Sequence, residues 1–300
     1  MVNVYWLTLN EETPSRGYWD QGMLEDYFAG DMWRPKDFPE FRHIECDGMP
    51  TPVNMPFGVV VLAARHHADK IKEVNKSLNK LDRVVLFLTG DEEADFPIEK
   101  IDHKNIEIWV MSPRTPRHDK YNHLGTGYPP QSQKILSKLK YEKTSDVFFS
   151  GQLTHRRRLE MWDNLKEYEA HHENVDVHGT RGFTQGFKAN EYYTRMARAK
   201  VAPAPSGPET PDSFRLFEAL ECMSIPIADE QDPKGTWTTY WAKFFKEQPP
   251  FPLIKEYDNL VGYITNELKH FDNQICVQTA WWIQKKRELA YKITEQINEK

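Results

Sequence analysis

Between Lys200 and Glu230 the chain reads KVAPAPSGPETPDSFRLFEALECMSIPIADE, and three residues there could do chemistry together: Ser213, Arg215 and Glu218. Val201 and the alternating Ala/Pro residues suit a short buried strand, which Ser206-Gly207-Pro208 breaks. Ser213 or Asp212 can cap the helix that follows, and Pro211 is tolerated near its start. Leu216, Phe217 and Leu220 give that helix an apolar stripe, and Ile225-Pro226-Ile227 opens the next strand. A helix N-terminus beside a glycine loop offers backbone N–H groups to an anion. An arginine in its first turn, here Arg215, adds a bidentate phosphate contact. A carboxylate one turn on, Glu218, can accept from two ribose hydroxyls. Those parts suffice to hold a nucleoside diphosphate. Alone, an Arg and a Glu three residues apart also describe a solvated ion pair of little energetic worth.

The elements upstream favour the first reading. Phe148-Phe149-Ser150-Gly151 is a strand ending in glycine, followed by His155 and the basic triplet Arg156–Arg158. A basic triplet can mark a nucleic-acid patch or a phosphate site at a helix end. One or two of these arginines can face a ligand, and Arg157 and Arg158 are the candidates. His178 ends the next strand and could line a base or phosphate pocket. Ser206 and Gly207 shape the loop, where Glu209 and Asp212 could meet sugar hydroxyls.

Ser213-x-Arg215-x-x-Glu218-Ala219, followed by Ser224-Ile225-Pro226-Ile227, resembles the donor-binding signature of exostosin-like glycosyltransferases, S-x-R-x-x-E-A and then G-C-I-P-V. The Phe148–Gly151 strand with its arginines is similar to the element that opens the same domain, and the Tyr192-Tyr193…Ala199-Lys200 segment fits the helix before the loop. The likeness covers about residues 145–230. One departure is Met223, which stands where the family has glycine. The resemblance implies α/β architecture of the GT-B kind: two Rossmann-like domains facing across a cleft, with a C-terminal helix crossing back. It implies domains at 1–130, 131–270 and a helix over 271–300. It also implies an inverting, metal-independent transfer from a nucleotide-diphosphate sugar, a co-substrate, with no cofactor and no metal ligands.

Such a transfer needs a base for the acceptor hydroxyl. Asp91, Glu92 and Glu93 directly follow the apolar strand Leu86–Leu88 and Gly90. Crowded carboxylates raise one another's pKa, which suits a general base, and Asp91 lies closest to the strand end. A solvated turn would look the same. Asp20, in Gly17-Tyr18-Trp19-Asp20-Gln21, is the rival: aromatic rings with a carboxylate suit sugar stacking, although a helix N-cap explains it as well. His66 and His67 are adjacent, so they point apart, which argues against a joint metal site. His171-His172, near a helix end, complements the helix dipole.

The 300 residues are enough for two domains with full cores. Mean hydropathy is −0.72 and no long apolar run exists, which excludes a transmembrane helix. No basic leader precedes the strand-like VYWLTL, so a cytoplasmic location is expected, in a bacterial or phage-infected cell, with peripheral membrane association as a variant. Cys46, Cys222 and Cys276 are scattered, which argues against a zinc site or a disulfide framework. Net charge is −6, and the first fifty residues carry all of it, with ten Asp/Glu against four Lys/Arg. That argues against a duplex-wide basic face.

The first half alternates strands (Val2–Leu9, Gly58–Ala64, Asp82–Leu88, Ile106–Met111) with a helix over Ala68–Leu81. Parallel strands joined by helices predict a doubly wound sheet. Ser112–Gln133, rich in Pro, Gly and His, reads as an interdomain linker. The second half starts afresh: strand Asp146–Phe149, helix Arg156–Tyr168, strand Val175–Val177, helix Asn190–Ala199. The tail from Leu260 to Asn298 is helical. The leading acceptor is a glycan or lipid-linked glycan of a bacterial surface polysaccharide; the second is a hydroxymethylated base in phage DNA. The alternatives are a GT-B-fold sugar-nucleotide epimerase and a non-catalytic carbohydrate- or partner-binding protein.

Overall fold

The computed structural model describes residues 1–9, 16–49, 55–114, 117–130, 132–182, 185–236 and 238–299. The chain divides into two compact units, Met1–Pro130 with Lys286–Lys300, and Gln131–Lys285. Among the described residues no helix is long and apolar enough to cross a membrane.

The first unit runs β1 (Val2–Thr8), α1 (Gly22–Ala29), β2 (Phe41–Asp47), β3 (Gly58–Ala63), α2 (Ile71–Leu78), β4 (Val84–Thr89), β5 (Ile106–Met111) and β6 (Asn122–Leu124). Its parallel sheet has the order β2-β1-β3-β4-β5-β6. The runs GVVVLA and VVLFLT are buried at every position because both faces are covered, as parallel sheets require. Tyr5, Leu62, Leu86 and Val110 pack on one face with Val74 and Leu78 of α2. On the other face Phe28 of α1 meets Trp6 and Phe87 edge-on, and Phe87 stacks on Trp109. Trp109 Nε1 donates to Gln296 Oε1 at 2.7 Å, and the Tyr27 hydroxyl bonds Thr294 at 2.9 Å, so the last turns of the C-terminal helix belong to this unit.

Ser112–Gln133 is not a linker. Its residues 115, 116 and 131 lie outside the described ones, but β6 adds a sixth strand, and buried Tyr128 donates to Asp26 Oδ2 at 2.7 Å. Leu124 and Tyr128 are the large apolar residues of a buried run over 124–128 that is otherwise Gly and Thr, so no periodicity betrays it.

The second unit runs α3 (Ser132–Leu136), β7 (Ser145–Gln152), α4 (Arg156–Glu169), β8 (Val175–Thr180), α5 (Ala189–Arg198), β9 (Ala199–Ala204), α6 (Phe214–Glu221), β10 (Ile225–Asp229), α7 (Tyr240–Phe245), β11 (Leu253–Ile254), α8 (Leu260–Lys269) and α9 (Phe271–Asn298), the last shared with the first unit. Its parallel sheet reads β11-β10-β9-β7-β8. Val147, Phe149, Val201 and Ile227 pack against α4 and α8 on one face. Phe148 and Ala202 pack against α5 and α6 on the other. The unit extends past the expected boundary at 270 because Gln278 and Trp282 of α9 donate to Ser224 O and Glu221 Oε1. In both sheets the chain reverses its direction of strand addition between the first strand and the third. Open α/β sheets bind ligands outside the carboxyl ends of the strands at that reversal.

Candidate functional site

In the second unit the reversal lies between β7 and β9, and the sequence motif folds onto it. Gly151 is the last residue but one of β7, and its missing Cβ leaves room for the Arg215 guanidinium; a methyl group there would collide with it. Arg215 donates from Nε and Nη2 to Ser150 O at 3.0 and 2.7 Å and lies 5.2 Å over the Phe149 ring. The residue is half-buried, and Nη1 has no partner among the described residues.

Ser213 takes the extended N-cap conformation of α6, yet its side chain caps nothing. Among the described residues its hydroxyl is buried without a hydrogen-bond partner, and so is that of Ser206. Gly207 permits the tight loop between them: its N–H donates to Thr210 O at 2.9 Å, and a Cβ would strike the Asp212 carbonyl. Asp212 Oδ2 accepts from Tyr240 at 3.2 Å, and Glu209 is half-buried in the same loop. His155, at the N-cap of α4, reaches this loop: Nε2–H donates to Ser206 O at 3.2 Å. Nδ1 is then a bare acceptor, buried without a partner. Burial first, and then the charge of Arg158, push its pKa down to about 4, so the ring stays neutral.

The arginine triplet differs from expectation. Arg157 is 2% exposed and forms a bidentate pair with fully buried Asp229, Nε to Oδ2 at 3.2 Å and Nη2 to Oδ1 at 2.8 Å. Arg158 donates to Ser206 O at 3.0 Å and Gln152 O at 3.1 Å, stapling the β7 end to the loop. Arg156 is exposed beside Glu160. Arg157 and Arg158 therefore brace the site, and their known donors go to protein acceptors. Glu218 is buried, and both its oxygens accept tyrosine hydroxyls, Tyr192 at 2.6 Å and Tyr193 at 3.0 Å. Burial raises its pKa and the two tyrosines oppose the rise. Each oxygen retains a second lone pair for a ligand. His178 is exposed and pairs with Asp176, edge-on to Phe187 at 4.7 Å, so its side chain is not gathered with the others.

Met223 has φ +53°, the left-handed region. Ser224 N donates to Ala219 O at 2.9 Å and Met223 N to Leu220 O at 3.3 Å, the Schellman ending of α6. This is the position where glycine would be unstrained, and the departure from the family pattern is a strained C-cap.

In the first unit the reversal lies between β1 and β3, and it gathers both rival carboxylates. Asp20 is 1% exposed: Oδ2 accepts the Gly90 N–H, and Oδ1 is buried without a partner among the described residues. Burial, far more than its neighbour Asp91, raises its pKa to about 7. Asp91 Oδ1 accepts the N–H groups of Asp95 at 2.9 Å and Phe96 at 3.2 Å; burial lifts its pKa to about 6 and those amides resist. The shift therefore comes from desolvation rather than carboxylate crowding. Glu92 is half-buried, and Glu93 pairs with Arg65 at 3.2 Å. Gly90, at φ +65°, leaves room for the Tyr18 ring. Tyr18 Oη lies 2.8 Å from His66 Nε2, a pairing that the sequence reading missed because its partners are far apart in the chain. Among the described residues no group of His, Cys, Asp and Glu could hold a metal ion. Neither a scan of protein-family models nor a search of curated proteins returns a match to this chain.

Proposed function

We propose that the chain is a glycosyltransferase of the GT-B class and that the reversal point of its second unit holds a nucleotide-diphosphate sugar. One observation carries the reading. Buried polar atoms without partners, Ser206 Oγ, Ser213 Oγ and His155 Nδ1, accompany the open Nη1 of Arg215 at the starts of α4 and α6. A buried polar group left unmade costs about 1–3 kcal/mol, which a bound ligand recovers. The groups are of mixed kind. Arg215 and the helix N-termini suit a diphosphate. A neutral imidazole nitrogen suits a ligand O–H. A phosphorylated sugar offers both.

In the transfer, the acceptor oxygen bonds the anomeric carbon as the bond from that carbon to the diphosphate oxygen breaks. The bonding pair leaves with the diphosphate, where Arg215 and the helix N-termini stabilise it without a metal. Calorimetry with UDP-, GDP-, dTDP- and ADP-sugars tests the reading. Saturable binding of one of them supports it; failure of all four classes to bind or to raise the melting temperature refutes it, since a ligand at a hundred times its Kd adds about 2.7 kcal/mol.

A further inference from the structure

We propose that the sugar of the donor lies at the start of α4, where one of its hydroxyls donates to His155 Nδ1, so that His155 selects among sugars. The proposal rests on the donor reading above and adds the residue of the second unit that reads the sugar.

The ligand has two ends, and the sheet of the second unit has two faces. α5 and α6 pack on the face of Phe148 and Ala202, and α4 and α8 on the face of Phe149 and Val201. Glu218 of α6 belongs to the first face, bonded there by Tyr192 and Tyr193 of α5. Tyr192 in turn lies edge-on to Phe148, with ring centroids 5.6 Å apart. His155, the N-cap of α4, belongs to the second face. Arg215 stands between the two. It is in the first turn of α6, yet its guanidinium bonds Ser150 O near the end of β7 and lies 5.2 Å over the Phe149 ring. A diphosphate on Arg215 has one linkage toward Glu218 and the other toward His155. With the ribose at Glu218, the sugar falls to His155.

The chemistry at that end suits a hydroxyl better than a phosphate. Nε2–H donates to Ser206 O at 3.2 Å, which leaves Nδ1 as the bare nitrogen. Nδ1 is buried with no partner among the described residues, and so is the hydroxyl of fully buried Ser206. Burial and the charge of Arg158 keep the ring neutral, with its pKa pushed down to about 4. A diphosphate esterified at both ends has acceptors alone and no proton to give this nitrogen. A sugar hydroxyl both donates and accepts, so it can serve Nδ1 and the Ser206 O–H together. The arginines nearby bond protein acceptors: Arg157 pairs with Asp229 at 2.8 Å, and Arg158 donates to Ser206 O at 3.0 Å and Gln152 O at 3.1 Å. Arg156 is exposed beside Glu160.

The test measures, by calorimetry, each sugar nucleotide against its bare diphosphate: UDP-glucose against UDP, GDP-mannose against GDP and dTDP-glucose against dTDP. His155→Gln places an amide nitrogen near Nε2 and nothing at Nδ1. His155→Asn places an amide oxygen near Nδ1. Melting curves show which variants are folded. In His155→Gln, affinity for the sugar nucleotide should fall about three- to tenfold relative to the bare diphosphate, the worth of a neutral hydrogen bond. His155→Asn should recover part of that factor. Among monodeoxy forms of whichever sugar binds, one should lose the same factor against the unaltered protein and nothing further against His155→Gln. A ratio that does not change in His155→Gln, whether both affinities fall or neither does, places His155 on the nucleoside or makes it a brace of the loop. Either result overturns the proposal and spares the donor reading. So does a monodeoxy series in which every member loses further against the variant. Absence of binding by all these nucleotides in the unaltered protein overturns both.

Discussion

Replacing Arg157 by alanine should unfold the second unit more easily and leave donor binding nearly untouched. Asp229 is fully buried and takes two hydrogen bonds from this guanidinium, at 3.2 and 2.8 Å. The same guanidinium donates to Lys255 O at 2.7 Å and lies 4.6 Å over the Tyr257 ring. Among the described residues, alanine would leave the Asp229 carboxylate with the Tyr257 hydroxyl at 3.2 Å and the Gln231 N–H at 3.1 Å as its donors. Breaking a buried pair by removing one partner costs about 3–5 kcal/mol. At about 2–4 °C per kcal/mol for a domain of this size, the melting temperature should fall by about 6–20 °C. Scanning calorimetry reads that fall, and titration with the bound sugar nucleotide well below the transition reads affinity. Replacing both charges together, Arg157→Met with Asp229→Leu, should recover most of the loss, because no uncompensated charge stays buried. The reasoning fails if Arg157→Ala melts with the unaltered protein and loses its ligand. That result would return Arg157 to the diphosphate, where its place in the basic triplet first put it.

Met223→Gly should raise stability by about 0.5–1 kcal/mol, the relief of a left-handed L-residue less the extra entropy of unfolded glycine; an unchanged urea midpoint would show the C-cap to be unstrained. Asp20 has a folded pKa raised from 3.8 to about 7, so its contribution to stability is full below about pH 4 and lost as pH rises through 7. Asp20→Asn should therefore be more stable than the unaltered protein at pH 8, with the gap closing by pH 4, and a gap independent of pH would count against a buried ionised carboxylate. Glu218→Ala should weaken nucleotide binding by about 1.5–3 kcal/mol and also destabilise the protein, since Tyr192 and Tyr193 lose their acceptor; destabilisation with equal affinity would make Glu218 a brace alone.

The central strands were legible because burial on both faces leaves a continuous apolar signature, as in GVVVLA and VVLFLT. Of the edge strands, β8 was legible at Val175–Val177, but β2, β6 and β11 were not. β2 alternates, with Arg42 and Glu45 in it, and β11 has two residues. The order of strand, glycine, loop and motif helix was also legible, because short βα turns keep neighbours in sequence close in space. What each arginine does was not. Local sequence shows the triplet, but the fates of Arg157 and Arg158 are fixed by Asp229 and Ser206, far along the chain. The Tyr18–His66 pair was hidden for the same reason. The raised pKa of Asp91 was anticipated from the wrong cause, since a run of carboxylates is visible in sequence and desolvation is not.

The donor reading depends most on Arg215, the half-buried guanidinium at Gly151 with an open Nη1. The direct measurement is calorimetric titration of a sugar nucleotide into the unaltered protein and into Arg215→Ala, with melting curves to show that both are folded. Loss of a charged hydrogen bond is worth about 1.5–3 kcal/mol, so affinity should fall about tenfold to a hundredfold. Equal affinity in a folded Arg215→Ala protein would contradict the account.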